Sequence, residues 1–129
     1  MEMQFFIPPG EEKKWYKYWK EERIKWHYKL GLGEENYRFH DHIKLAHYAD
    51  NACDIEFKFP MGFKELEGIH SRTDFDLKQH ENLSGKNMTY FDTKSQEKYH
   101  PYIIETSTGL NRLFLMVLCE AYFEDIDNN

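Results

Sequence analysis

The chain has 129 residues, enough for one domain with a real core, and a net charge of −6, which gives it no general attraction to nucleic acid. An aromatic content of 17% excludes a disordered segment, and no apolar run is long enough to span a membrane. Cys53 and Cys119 match no metal or redox spacing. They read as reduced, buried side chains of a cytoplasmic protein, and the first residues do not form a signal peptide.

Residues 3–7 form a short apolar run stopped by Pro8-Pro9-Gly10, and read as a strand that enters already under way. The chain is therefore expected to be a piece of a larger protein. Residues 11–30 predict a long helix. Glu11 and Glu12 open it, Lys25 and Lys29 close it in accord with the helix dipole, and Gly31 stops it. Trp15, Trp19, Trp26 and Leu30 form the face expected to meet the core, with Lys and Arg on a solvated face. Stacking of those Trp on nucleobases is the alternative.

Residues 31–50 are polar and read as irregular. His40, Asp41, His42 and His47 carry metal-type donors without a partner set at zinc-like spacing, so surface or hydrogen-bonded histidines are expected there. Residues 53–59 alternate, with Cys53, Ile55, Phe57 and Phe59 opposite Asp54, Glu56 and Lys58. This is a strand with one face on the core. After a turn at Pro60-Met61-Gly62, residues 64–71 predict a second, antiparallel strand. Strict alternation there puts Glu65, Glu67 and Ile69 on one face and Leu66, Gly68 and His70 on the other. A carboxylate facing into a sheet needs a cation or donors. Glu65 and Glu67 are thus either solvent-facing or candidate ligand-binding groups.

Thr73 or Asp74 is placed to cap a short helix reaching about His80. Residues 81–96 read as a loop with an edge strand at 88–91. Residues 99–105 predict the last strand, with Tyr102, Ile103 and Ile104 buried. Ser107 or Thr108 is placed to cap a terminal helix starting at Gly109. Its apolar residues, among them Leu110, Leu113, Phe114, Val117, Leu118 and Ala121, predict a largely buried helix. The free N–H groups and dipole at its start suit an anion, and Arg112 adds a planar fork for phosphate. Glu105 and Ser107 lie on the same rim, available to a cation or a hydroxyl. An ordinary strand-to-helix turn with a surface Arg is the plainer reading of the same residues. The order of elements makes an α+β domain on an antiparallel sheet.

Three blocks resemble the second half of the catalytic core of glycyl-tRNA synthetases, a class II aminoacyl-tRNA synthetase family. Met1-Glu2-Met3-Gln4-Phe5-Phe6 resembles the end of motif 2. Glu65-Leu66-Glu67-Gly68-Ile69-His70-Ser71-Arg72-Thr73-Asp74-Phe75-Asp76-Leu77 resembles a block distinctive of the family, and is the most specific of the three. Residues 101–112 resemble motif 3, ending on Arg112. The resemblance covers essentially the whole chain.

It implies ATP-dependent formation of glycyl-adenylate and transfer of glycine to its tRNA, with Mg²⁺ accompanying ATP and a homodimeric full-length protein. Carried over by position, Glu2, Glu105, Thr106, Ser107, Thr108 and Gly109 belong to the glycine site. Glu65, Leu66, Gly109, Leu110, Asn111 and Arg112 belong to the ATP site, Arg112 being the catalytic group. No resident metal is implied. Thr106 stands where many relatives have proline, and Asn111 where an acid is common. Motif 1, most of motif 2 and the anticodon-binding domain are outside the chain. A non-catalytic glycine- or nucleotide-binding module of the same fold is the alternative reading, and an unrelated α+β interaction domain a third.

Overall fold

The computed structural model describes residues 1–43 and 49–125. His47 therefore lies outside the described residues. Five strands form one antiparallel sheet in the order β1 (Glu2–Ile7), β7 (Tyr102–Thr108), β4 (Gly62–Ser71), β3 (Asn51–Phe59) and β2 (Tyr37–Asp41). The long helix α1 (Glu12–Tyr28) and the terminal helix α3 (Leu110–Ala121) cover one face of it. A third helix, α2 (Phe75–Ser84), follows β4, and a separate hairpin of β5 (Tyr90–Asp92) and β6 (Glu97–Tyr99) precedes β7. This is the expected α+β architecture on an antiparallel sheet.

Several boundaries differ from the sequence reading for local reasons. The segment read as irregular contains β2, an edge strand whose residues beyond Tyr37 are all exposed and so carry no apolar alternation. α2 runs four residues past His80, to Ser84, and stops where Gly85 takes a left-handed conformation (φ 67°). β7 continues through Thr108 rather than ending at Glu105, because residues 105–107 are paired on both sides, by β1 and by β4, and Thr108 pairs with Glu67 of β4. Ser107 and Thr108 are consequently strand residues, and the N-cap of α3 is Gly109, with no side-chain cap hydrogen bond.

The core lies between the sheet and its two helices. Ile55, Phe57, Ile69, Leu66 and Met116 are completely or almost completely buried there, with Ile24, Cys53 and Tyr37 around them. Burying such side chains contributes on the order of 1.5–3 kcal/mol each. Cys53 and Cys119 are free, as expected. α1 does not present its tryptophans as one buried stripe. Trp15 and Trp19 pack on Phe5, with ring centroids 4.8 and 5.3 Å away, but Trp26 is 37% exposed and Leu30 39%. The fully buried positions of α1 are Ile24 and His27. α3 also departs from expectation. Met116 is buried, whereas Leu110, Phe114 and Leu118 are more than half exposed, so the sheet covers only one side of a helix that is apolar on several sides.

A β-bulge decides which side chains point where. Ile55 pairs with Glu67, and the next residue, Glu56, pairs with Glu65, leaving Leu66 without a partner. Paired residues share a face. Glu67 therefore lies on the helix-covered face with Ile55, and Glu65 on the opposite, open face with Glu56. Strict alternation, which put both glutamates on one face, fails at this one residue.

Glu67 is completely buried, and α1 supplies its partners. Arg23 donates from Nε (2.5 Å) and Nη2 (3.1 Å), and His27 Nε2 stands 2.7 Å from the second carboxylate oxygen. Burial by itself raises a carboxylate pKa. Here the hydrogen bonds from His27 and Arg23 outweigh it and bring Glu67 from 4.5 down to about 2. Because the folded-state value lies below the unfolded one, this stabilisation is complete above about pH 4.5 and is lost as pH falls toward 2. Glu67→Gln is expected to destabilise by about 3–5 kcal/mol at pH 7, since it leaves Arg23 without its counter-charge. It should also flatten the fall in stability between pH 4.5 and 2, as read by denaturant unfolding across that range.

Candidate functional site

The open face of the sheet is polar, and the register brings its groups together. Glu2 pairs with Ser107, Gln4 with Glu105, His70 with Glu105 and Gly68 with Ser107. These side chains share the face with Asp54 and Glu65. The neighbouring residues Thr106 and Thr108 pair with Ile69 and Glu67, which sets their side chains on the helix-covered face, buried.

Glu105 is the centre of the cluster. It is nearly buried, at 9% exposure, yet its carboxylate is surrounded by donors. Gln4 Nε2 donates to it at 2.7 Å and Arg72 Nη1 at 3.4 Å, and His70 Nδ1 stands 3.7 Å away. Arg72 is held in turn by Asp76, Nε and Nη2 donating to the two carboxylate oxygens at 2.6 and 3.0 Å. A bidentate pair of this kind fixes the guanidinium plane. Burial lowers the pKa of His70, against the opposing pull of Glu105 and Asp54. A cavity of about 310 Å³ opens here, lined by Glu2, Gln4, Arg72, Asp76 and Glu105 among others. It is small and rich in carboxylates, with one guanidinium: a shape and charge pattern for a small zwitterion.

A second, larger cavity of about 600 Å³ adjoins the start of α3, lined by Glu65, Leu66, Ser107, Gly109, Asn111 and Arg112. Arg112 Nη1 donates to the backbone oxygen of Glu65 at 2.6 Å and stands 3.9 Å from its carboxylate. The guanidinium is thus tethered across the cavity mouth while half exposed. The first amides of α3 have no side-chain cap, and so face the cavity region with their hydrogen-bonding capacity open. Ser107 touches this cavity and pairs with Glu2 of the smaller one, joining the two along β7.

Comparison with known proteins shows what the chain is similar to. No family model matches the chain. The glycine–tRNA ligase of Chlorobaculum tepidum is 52% identical over 127 residues, covering 98% of this chain and 27% of that protein. The glycine–tRNA ligase of Treponema denticola is 53% identical over 128 residues, and that of Streptomyces coelicolor 46% over 130. The chain is related to the glycine–tRNA ligases. It spans about a quarter of the length of the relatives it matches. The fold is shared with Giardia lamblia prolyl-tRNA synthetase, solved with prolyl-adenylate, at a TM-score of 0.55 and 13% identity, over 89% of this chain and 22% of that one. The class II synthetase fold expected from the motifs is therefore the fold present.

Within this chain the residues carried over by position do not all fall in one place. Glu2, Glu105 and Ser107 converge on the open face. Glu65, Leu66, Gly109, Asn111 and Arg112 line the larger cavity, and Leu110, 61% exposed, does not. Thr106 and Thr108 lie beneath the sheet, because a strand alternates its side chains, and there they line a third cavity together with Glu2 and Arg23. Gln4, His70, Arg72 and Asp76 were not singled out from the sequence, although Gln4 lies two residues from Glu2 and so shares its face. The histidines of the β2 region are hydrogen-bonding groups. His42 Nε2 is 2.8 Å from Asp54, and His40 is 3.5 Å from Glu56. Among the described residues no His, Cys, Asp and Glu group could hold a metal ion.

Arg112 is a cation on the first turn of a helix, where the dipole disfavours it by about 0.3–1 kcal/mol, and its ion pair is half exposed. Arg112→Ala should accordingly change unliganded thermal stability by no more than about 1 kcal/mol. A larger loss in a melting experiment would make Arg112 a structural residue.

Proposed function

We propose that this segment carries the glycine pocket and part of the ATP site of a glycine–tRNA ligase, which activates glycine as glycyl-adenylate and transfers it to its tRNA. The observation that carries the reading is a pair of cavities linked along β7 by the pairing of Glu2 with Ser107. The small one holds carboxylates around a fixed guanidinium, and the larger one has Arg112 and the uncapped start of α3. The relatives' shared name agrees with both.

In this reading the ammonium group of glycine meets Glu105 and Glu2. Gln4 and Arg72 line the same cavity beside Glu105. ATP lies in the larger cavity, with its phosphates toward Arg112 and the α3 amides. The glycine carboxylate then attacks the α-phosphorus and pyrophosphate leaves. The attacking oxygen already belongs to the substrate, so the chain supplies no nucleophile. It aligns the reactants and stabilises the charge that develops on the phosphate. Mg²⁺ would enter with ATP, and Glu65, which lines the larger cavity, is the carboxylate that would help hold it, since magnesium is commonly bound by one or two carboxylates plus phosphate oxygens. When bound it neutralises phosphate charge. A cytoplasmic, homodimeric full-length enzyme belongs to the same proposal.

The decisive experiment is glycine-dependent ATP–pyrophosphate exchange in the full-length protein. Glu105→Gln removes the charge and keeps the shape. A charge-assisted hydrogen bond is worth about 1.5–3 kcal/mol, so kcat/KM for glycine should fall on the order of 10–100-fold. ATP affinity measured without glycine should stay within about twofold; equal losses in both would assign Glu105 to the fold instead. Arg112→Lys keeps charge but loses the planar fork, and should reduce ATP-dependent turnover more than tenfold, about 1.4 kcal/mol. Unchanged turnover removes Arg112 from the site.

A further inference from the structure

The trio of buried His27, buried Glu67 and partly exposed Arg23 lies outside both cavities, on the other side of the sheet. It is nevertheless one residue from the bulge that shapes the larger one. The geometry points to a role: we propose that Arg23 and His27 are positioning residues for the nucleotide pocket, acting through Glu67 to hold the bulge at Leu66 that turns Glu65 onto the open face. The proposal rests on reading the larger cavity as the ATP site.

The competing registers show why. Without the bulge, and with Glu67 kept opposite Ile55, Leu66 would pair with Glu56 and appear on the open face. Glu65 would then pair with Phe57 beneath the sheet, a second carboxylate in the core with no cation near it. If Glu65 were kept opposite Glu56 instead, Glu67 and every residue after it would change face, and Ile69, now completely buried, would meet the open side. Only the bulged register places Leu66, Glu67 and Ile69 all beneath the sheet and Glu65 above it. That register demands a carboxylate in the core, and α1 meets the demand with a bidentate Arg23 and with His27, which is 0% exposed. The consequence reaches the other face through backbone. Glu65 supplies the carbonyl that tethers Arg112 at 2.6 Å, so a shift of the bulge moves Arg112 as well. β7 is paired to β4 beyond the bulge, from Glu67 to Ser71, and keeps Glu105 in place through His70. The nucleotide side should therefore feel the trio more than the glycine side.

The test uses the full-length ligase containing this segment. Arg23→Met keeps the aliphatic stem and removes the fork, Arg23→Lys restores a single cation, and His27→Gln keeps one donor. Steady-state exchange gives KM for ATP and for glycine separately, and a melting curve gives stability. The expected result is a KM for ATP raised about tenfold or more in Arg23→Met, a KM for glycine within twofold, and partial recovery in Arg23→Lys. A lowered melting point with KM for ATP unchanged would make the trio merely structural and overturn the proposal. If Arg23→Met does not fold, Arg23→Lys and His27→Gln decide by the same split. If the unaltered enzyme shows no glycine-dependent exchange, the proposed function fails on its own. ATP binding by calorimetry in the same variants then decides the positioning role, weakened binding supporting it and unchanged or undetectable binding in all overturning it.

Discussion

A carboxylate buried at the centre of a β-sheet is the constraint on which the rest of this structure depends. Glu67 lies completely beneath the sheet and cannot be left without a counter-charge there. Arg23 and His27 answer it from α1, and this fixes the rotation of a 17-residue helix about its own axis. With that rotation set, Ile24 meets the core, Trp15 and Trp19 close over Phe5, and Trp26 is left at the surface under the Arg23 guanidinium. The polar trio thus decides how the apolar residues around it are arranged.

The same site joins the two faces of the sheet. Beneath lie Ile55, Phe57, Ile69 and Ile104, and above lies a layer of acids, histidines and one clamped arginine. Because both faces are built from the same strands, a change of register below would also be a change of chemistry above. Asp54 and Glu56 illustrate the coupling. They belong to the outward face of β3, yet each is only 9% exposed, because His42 and Arg38 reach over them from β2. The face opposite the helices is a partly covered polar layer, in which charged groups interact more strongly than they would in open water.

The two cavities differ in charge. Acidic groups and a fixed guanidinium gather around Glu105, where the strands lie side by side. Donors gather at the start of α3, where a helix begins without a side-chain cap. Ser107 stands between them on β7, the strand with paired neighbours on both sides, so the distance between the two halves is held by main-chain hydrogen bonds. Alignment of two substrates is a matter of such fixed distances.

Local pattern was enough to determine the α+β class, the antiparallel hairpin of β3 and β4, and the long first helix. Each rests on periodicity, turn residues or capping chemistry, which act within a few residues. The motif blocks added the family, because they are strings of residue types. Tertiary structure alone decided the faces. The bulge at Leu66 separates Glu65 from Glu67, and no composition rule marks a single unpaired residue. The buried stripe of α1 includes His27 and touches Arg23, and nothing within the helix announces their partner 40 residues away. Thr106 and Thr108 fell under the sheet because β7 runs four residues past its apolar part, to Thr108, held by pairing with β4. Leu110, Phe114 and Leu118 stayed exposed because a helix apolar on several sides says that it can be buried, not that a neighbour is there to bury every side of it. A side chain's facing is a property of its pairing partner, and that partner is chosen across the chain.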